Sequence, residues 1–329
     1  MKKVLSVIST ILLVLSYSLN IVGVLIVRGL FDSLPESPPE DLSFTQQVTV
    51  INDISYGKAR KEKLDLYFPK EHSGSLPLII WVHGGAFVGG DKRDVTYFAQ
   101  ALAYNGYAVA AINYERAPGH RYPTPVLQTG KAYTFLTESC NDAEQVIDKD
   151  KIFFAGDSAG AHIAAQFLIL QTNEEYRANF LEANKVKDFP APIPEEKLRG
   201  GLLFCGPYSV EKMMNVSNPL MRFLVTQTGW AYFNTRDFAD LPVGVEANLV
   251  QHVTADFPTV FITDGNAMSF PEHGLELSAK LKGLGVTVQD LFFEDTETQV
   301  LHEYQFDLKT DAGRLALERT LEFLRGQLG

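Results

Sequence analysis

An apolar run, Lys151-Ile152-Phe153-Phe154-Ala155, breaks at Gly156-Asp157-Ser158-Ala159-Gly160 and resumes as Ala161-His162-Ile163-Ala164-Ala165-Gln166-Phe167-Leu168. That order reads as a strand, a sharp turn and a helix, with a serine at the tip. A tight strand-to-helix turn strains its central residue and needs small neighbours, which Gly156, Ala159 and Gly160 supply. The Ser158 hydroxyl would then stand clear of the sheet, beside the N–H groups of the helix start. The pentapeptide alone also fits an ordinary glycine loop. Its two apolar flanks favour a nucleophile.

The same alternation runs through the rest of the chain. Gln47–Ile51 and Leu64–Phe68 read as an opening hairpin, and Leu76–Val82 as a strand buried on both faces. Helical periodicity predicts helices over 95–104, 126–136, 275–284 and 313–326. Strands are expected over 107–112, 201–205, 259–263 and 286–293. Strands alternating with helices predict an α/β fold with a mostly parallel central sheet flanked by helices. Ligands in such folds sit at the carboxyl ends of the strands, where Ser158, Asp264 and His302 all fall. Two long insertions, about 172–198 and 208–257, interrupt the pattern and read as lid-like segments.

The N-terminus carries a second signal. Val4 to Val27 contains no charged residue. As a helix it would be about 36 Å long, enough for a hydrocarbon core of about 30 Å. Residues 1–28 are therefore expected to form one N-terminal transmembrane helix that anchors the chain to a membrane. Lys2 and Lys3 precede the run, which predicts an extracytoplasmic catalytic domain. A cleaved signal peptide is the competitor, with small residues at Ser16-Tyr17-Ser18. Residues 29–43 read as a linker and 44–329 as the catalytic domain. The net charge of −11 argues against a nucleic-acid partner. The two cysteines, Cys140 and Cys205, have no metal-ligand spacing and read as buried thiols. With no phosphate-binding loop, dinucleotide fingerprint or metal cluster in the sequence, no cofactor and no metal are expected.

A serine hydroxyl needs a base, a group that orients the base, and donors for the developing oxyanion. Trp81-Val82-His83-Gly84-Gly85-Ala86-Phe87 follows a buried strand, and its glycines let backbone N–H groups turn toward a ligand. Gly85 and Ala86 are expected to donate, with Gly84 shaping the loop and Ala159 adding a further N–H.

His83-Gly84-Gly85-Ala86-Phe87 together with Gly156-Asp157-Ser158-Ala159-Gly160 resembles the α/β-hydrolase fold, in particular the hormone-sensitive-lipase-like and acetyl-esterase-like carboxylesterases. Asn113 to Pro123 is similar to the stretch that family carries between the two motifs. The resemblance covers roughly Phe44 to the C-terminus. It implies a base in the loop after the last strand, where His302 alone of the seven histidines sits, in the chain order serine, acid, histidine. His83 would support the oxyanion loop, and His162 reads as a packed helix residue. The family's acid usually lies three residues after a glycine, but here that register ends on Met268. Asp264 is taken as the acid, with Glu272 as the alternative. Asp264 could equally cap its own turn, and Glu272 could be a helix N-terminal charge.

Met213, Met214, Met221, Phe223, Leu224, Trp230, Tyr232 and Phe233 in the second insertion predict an apolar pocket wall. The expected partner is a small-molecule ester, small or medium and mostly uncharged, cleaved through an acyl-enzyme. A serine peptidase or amidase on the same fold is the first competitor. A catalytically silent fold used for surface binding is the second.

Overall fold

The computed structural model describes residues 2–32, 38–141, 145–294 and 296–329, with side chains in the first helix from residue 17 onward. Helix α1 (Lys2–Asp32) is followed by strands β1 (Val48–Ser55), β2 (Lys63–Pro69) and β3 (Leu76–Val82). Then come α2 (Thr96–Tyr104), β4 (Ala108–Ile112), α3 (Thr124–Glu138), β5 (Ile147–Asp157) and α4 (Ala159–Thr172). Helix α5 (Glu174–Ala183) and strand β6 (Leu198–Phe204) lead into α6 (Val210–Met214), α7 (Pro219–Phe233) and α8 (Pro242–Ala247). Strand β7 (Val260–Thr263), α9 (Pro271–Gly283), β8 (Val288–Leu291) and α10 (Asp311–Gly326) complete the chain.

One eight-stranded sheet has the order β1-β2-β4-β3-β5-β6-β7-β8. The opening hairpin pairs antiparallel, as does β2 with β4, and all other pairs are parallel. Alternate residues of β3 serve opposite faces. Leu78, Ile80 and Val82 pack with α3, α4 and α9, whereas Ile79 and Trp81 pack with α2 and α10. This two-sided burial is why β3 reads as an unbroken apolar run. It is an α/β-hydrolase fold, with ends of several elements displaced by a few residues from the periodicity.

Strand β3 lies between β4 and β5, so the chain leaves it toward opposite edges of the sheet. Crevices open at the carboxyl ends of strands at such a switch point. Val82 is in register with Gly156, which sets the loop after β3 directly beside the turn after β5.

The expected N-terminal architecture needs correction. Among the described residues, no helix is long and apolar enough to cross a membrane, so the transmembrane helix expected over 1–28 is not supported. The side chains of residues 1–16 lie outside those described. Beyond them, α1 is docked on the domain: Val24 and Val27 are buried in the main core, and buried Asn20 accepts a hydrogen bond from Arg236. A helix packed on protein over this stretch is not surrounded by lipid. Helix α1 also runs through Asp32, into the start of the expected 29–43 linker; residues 33–37 of that linker lie outside the described residues. Cys140 and Cys205 are both buried and form no disulfide.

Candidate active site

Close approach explains the glycines of the turn after β5. A Cβ on Gly160 would lie 2.0 Å from the Val82 carbonyl oxygen, and one on Gly156 would lie 2.4 Å from the Gly160 carbonyl. Only with both positions bare can β5 and α4 approach this closely behind β3. The turn forces Ser158 to φ 50° and ψ −120°, a conformation that a non-glycine residue adopts only when its surroundings impose it. Ser158 is 5% exposed and opens onto a cavity.

His302, in the loop between β8 and α10, reaches it. Its Nε2 lies 2.9 Å from Ser158 Oγ. A hydroxyl hydrogen-bonded to an imidazole can pass its proton to that base. Burial lowers the His302 pKa to about 4, so the ring is neutral and able to accept a proton at pH 7.

The other side of the ring departs from the sequence expectation. His302 Nδ1 meets Ser269 Oγ at 2.7 Å, and Ser269 in turn donates to Asp264 Oδ1. Asp264 thus reaches His302 through a hydroxyl rather than directly. An ionised carboxylate only accepts, so it obliges Ser269 to donate to it. Ser269 Oγ then accepts a hydrogen bond from Nδ1–H, leaving Nε2 as the acceptor facing Ser158. Burial is the largest influence on Asp264 and raises its pKa to about 7, against hydrogen bonds from Ser269, Cys205 and the backbone of Gly265 and Phe270. Glu272 is an exposed charge in the first turn of α9 and is not brought to His302.

In the loop after β3, the Gly84 N–H is not free for a ligand, because it donates to Asp157 Oδ2 at 2.7 Å. Gly84 therefore ties the loop to the turn after β5 and offers no donor to a ligand. The N–H groups of Gly85, Ala86 and Ala159 find no partner among the described residues. Ala86 and Ala159 line the cavity beside Ser158. Asp157 ties the loop to the turn, since its Oδ1 also accepts from Trp81 Nε1 at 2.7 Å. The buried ring of His83 stacks on Tyr114, whose hydroxyl donates to the His83 and Gly84 carbonyls at 3.1 and 3.2 Å. His162 is a packed residue of α4, with Nδ1 on the Pro207 carbonyl.

Sequence reasoning missed Ser269, Asp157 and Glu303. A serine in a loop has no distinguishing pattern, and Asp157 occupies the variable position of its motif. Glu303 follows His302, and its carboxyl meets that of Asp157. Burial raises the pKa of both, and the Asp157 charge raises that of Glu303 further. A proton kept on either acid limits the negative charge near Ser158.

The cavity over Ser158 holds about 270 Å³. Met213, Met221, Leu224, Phe233 and Phe238 from the second insertion wall it, with Met268 and Phe270 from the acid loop. None of residues 172–198 lines it. Helix α5 of that insertion instead buries Tyr176 and Phe180 in the main core, so the first expected lid segment does not cover the site. Among the described residues, Cys205, Asp264 and His302 bring sulfur, oxygen and nitrogen atoms within 4.8 Å of one another. These donors suit a zinc-like cation, but the carboxylate and imidazole are already engaged by Ser269 and Ser158.

The BD-FAE family profile matches residues 64–273. A probable isoprenylcysteine alpha-carbonyl methylesterase of Arabidopsis thaliana is 28% identical, over 79% of this chain and 55% of its own. A kynurenine formamidase of Danio rerio is 27% identical, over 59% of this chain and 58% of its own. The chain spans about half the length of these curated relatives. Among solved structures, esterase B of Lactobacillus rhamnosis superposes with a TM-score of 0.71 at 19% identity, covering 95% of this chain and 94% of its own.

Proposed function

The chain belongs to the BD-FAE family, and from that premise we propose that it is a serine hydrolase of small or medium, mostly uncharged carboxylic esters. The observation that carries the proposal is the 2.9 Å contact between Ser158 Oγ and His302 Nε2 at an apolar cavity. Ser158 attacks the ester carbonyl as His302 takes its proton. The N–H groups of Gly85, Ala86 and Ala159 receive the oxyanion, which is where pre-aimed donors lower a barrier most. His302 then protonates the leaving alkoxide. Water, activated by the same ring, releases the acyl group from Ser158. Ser269 and Asp264 keep the proton on Nδ1 throughout and offset the charge of the imidazolium.

The formamidase relative favours a second reading, hydrolysis of a small amide by the same machinery.

The test is hydrolysis of p-nitrophenyl esters of increasing acyl length by the full chain and by Ser158→Ala. Turnover that falls at least ~10⁴-fold in Ser158→Ala is expected, since losing a nucleophile removes the whole covalent route. Turnover retained in the variant would remove Ser158 from its role. Folded wild type that cleaves an aryl formamide and no ester would transfer the site to the second reading.

A further inference from the structure

We propose that the C-terminal half of α1 is a working part of the active site, with Arg28 a positioning residue for the oxyanion loop and Phe31 a wall of the acyl cavity. The inference rests on the ester-hydrolase reading above.

The loop that presents the Gly85 and Ala86 N–H groups is strained. Gly85, Ala86 and Phe87 are consecutive residues with φ of 98°, 52° and 60°. Two of the three carry a Cβ, so this conformation persists only where the surroundings over-determine it. Within the loop, Val88 N and Gly89 N both donate to the Gly85 carbonyl, at 3.1 and 2.7 Å. That closes the turn without fixing its outer side.

The Phe87 carbonyl accepts from Ala117 N at 3.0 Å, and helix α1 supplies further outer fixings at Val88 and Gly90. Arg28 Nε donates to the Val88 carbonyl at 2.6 Å, and Nη2 to the Ala117 carbonyl at 2.8 Å. One planar guanidinium thus joins the oxyanion loop to the segment after β4. A lysine could not hold both acceptors with the same geometry. One turn further on, Asp32 Oδ1 accepts from Gly90 N at 3.1 Å and from Arg116 Nη1 at 3.0 Å. Arg116 Nη1 also donates to the Gly90 carbonyl at 2.8 Å. Both ends of the Val88–Gly90 stretch are therefore held by α1 or by a residue paired with it.

Packing agrees with the hydrogen bonds. A Cβ on Gly89 would lie 3.1 Å from Phe31 Cβ and 3.3 Å from Asp32 Oδ1, so the loop touches the helix at a bare backbone position. Phe31 itself lines the cavity over Ser158. The part of the chain that reads from sequence as an anchor and its linker thus supports the oxyanion loop and encloses the substrate.

The test uses the full chain, with p-nitrophenyl acetate and hexanoate turnover read beside hydrogen exchange of the 84–90 amides. Arg28→Met keeps the apolar stem and removes the donors. It is expected to lower kcat ~10–100-fold on both esters, short of the loss of a whole oxyanion donor. KM should stay within about twofold, and exchange at 84–90 should speed up as the loop opens locally. Arg28→Lys should recover part of kcat. Phe31→Ala should raise KM for the hexanoate several-fold more than KM for the acetate. If Arg28→Met does not fold, Asp32→Asn carries the same readouts. Wild-type kcat and wild-type loop exchange in the variant would overturn the inference. If the wild type cleaves no ester, the ester reading fails, and the exchange comparison alone then decides whether Arg28 holds the loop.

Discussion

The two sides of His302 are built on different principles. On the Ser158 side the working atoms are a strained hydroxyl and backbone N–H groups, held by contacts that only bare backbone permits at Gly156 and Gly160. On the Asp264 side the working atoms are side chains, and a hydroxyl bridges a carboxylate and an imidazole that do not touch. Backbone geometry allows little variation, because a single Cβ in the turn meets a carbonyl at 2.0 Å. Side-chain reach is more forgiving. A carboxylate moved four residues from its usual register can still act if another group spans the gap.

The sharpest way to break this contrast is Asp264→Asn. The amide can donate to Ser269 and reverse the relay, turning the His302 lone pair away from Ser158. Exchanging a triad acid for its amide costs up to ~10⁴-fold in kcat, and the relayed position here should cost ~10²–10³-fold. Glu272→Gln should leave kcat within about twofold. The reverse pattern, measured on one p-nitrophenyl ester, would move the acid to Glu272.

Ser269→Ala is expected to have the next largest effect, a ~10–100-fold loss of kcat with little change in KM, because the Asp264 charge remains but its link to Nδ1 is gone. A loss below about twofold would show that Asp264 acts without the bridge.

The pH dependence gives the smallest and most discriminating effects. The His302 pKa of about 4 and the Asp264 pKa of about 7 put the acid limb of kcat/KM near 7, set by Asp264 rather than by the base. A limb near 4 in the wild type would contradict the relay. Stability follows the opposite sign. The folded pKa of Asp264 is above its ordinary 3.8, so its contribution to stability is complete below about 4 and is lost as pH rises through about 7. Asp264→Asn should therefore melt above the wild type at pH 8, with the gap narrowing toward pH 4. An unchanged gap across that range would mean that Asp264 is not held neutral.

The sequence alone determined the α/β order, the buried central strand, the opening hairpin, Ser158 at its turn and the glycine-rich loop beside it. These are local constraints. Apolar period, glycine placement and turn tightness act over a few residues and leave a pattern in the chain. It also pointed to His302, through the resemblance and chain order. Only the tertiary structure decided that Ser269 links Asp264 to His302, that Gly84 is tied to Asp157, and that Glu303 sits beside that aspartate against Gly84. It also decided that α1 docks against the oxyanion loop, and that the second insertion walls the cavity while the first does not. Each depends on side chains from distant segments meeting after the sheet has formed. An apolar helix reads the same whether lipid or a protein surface covers it, and contacts such as those of Asn20, Val24, Val27 and Arg28 distinguish the two.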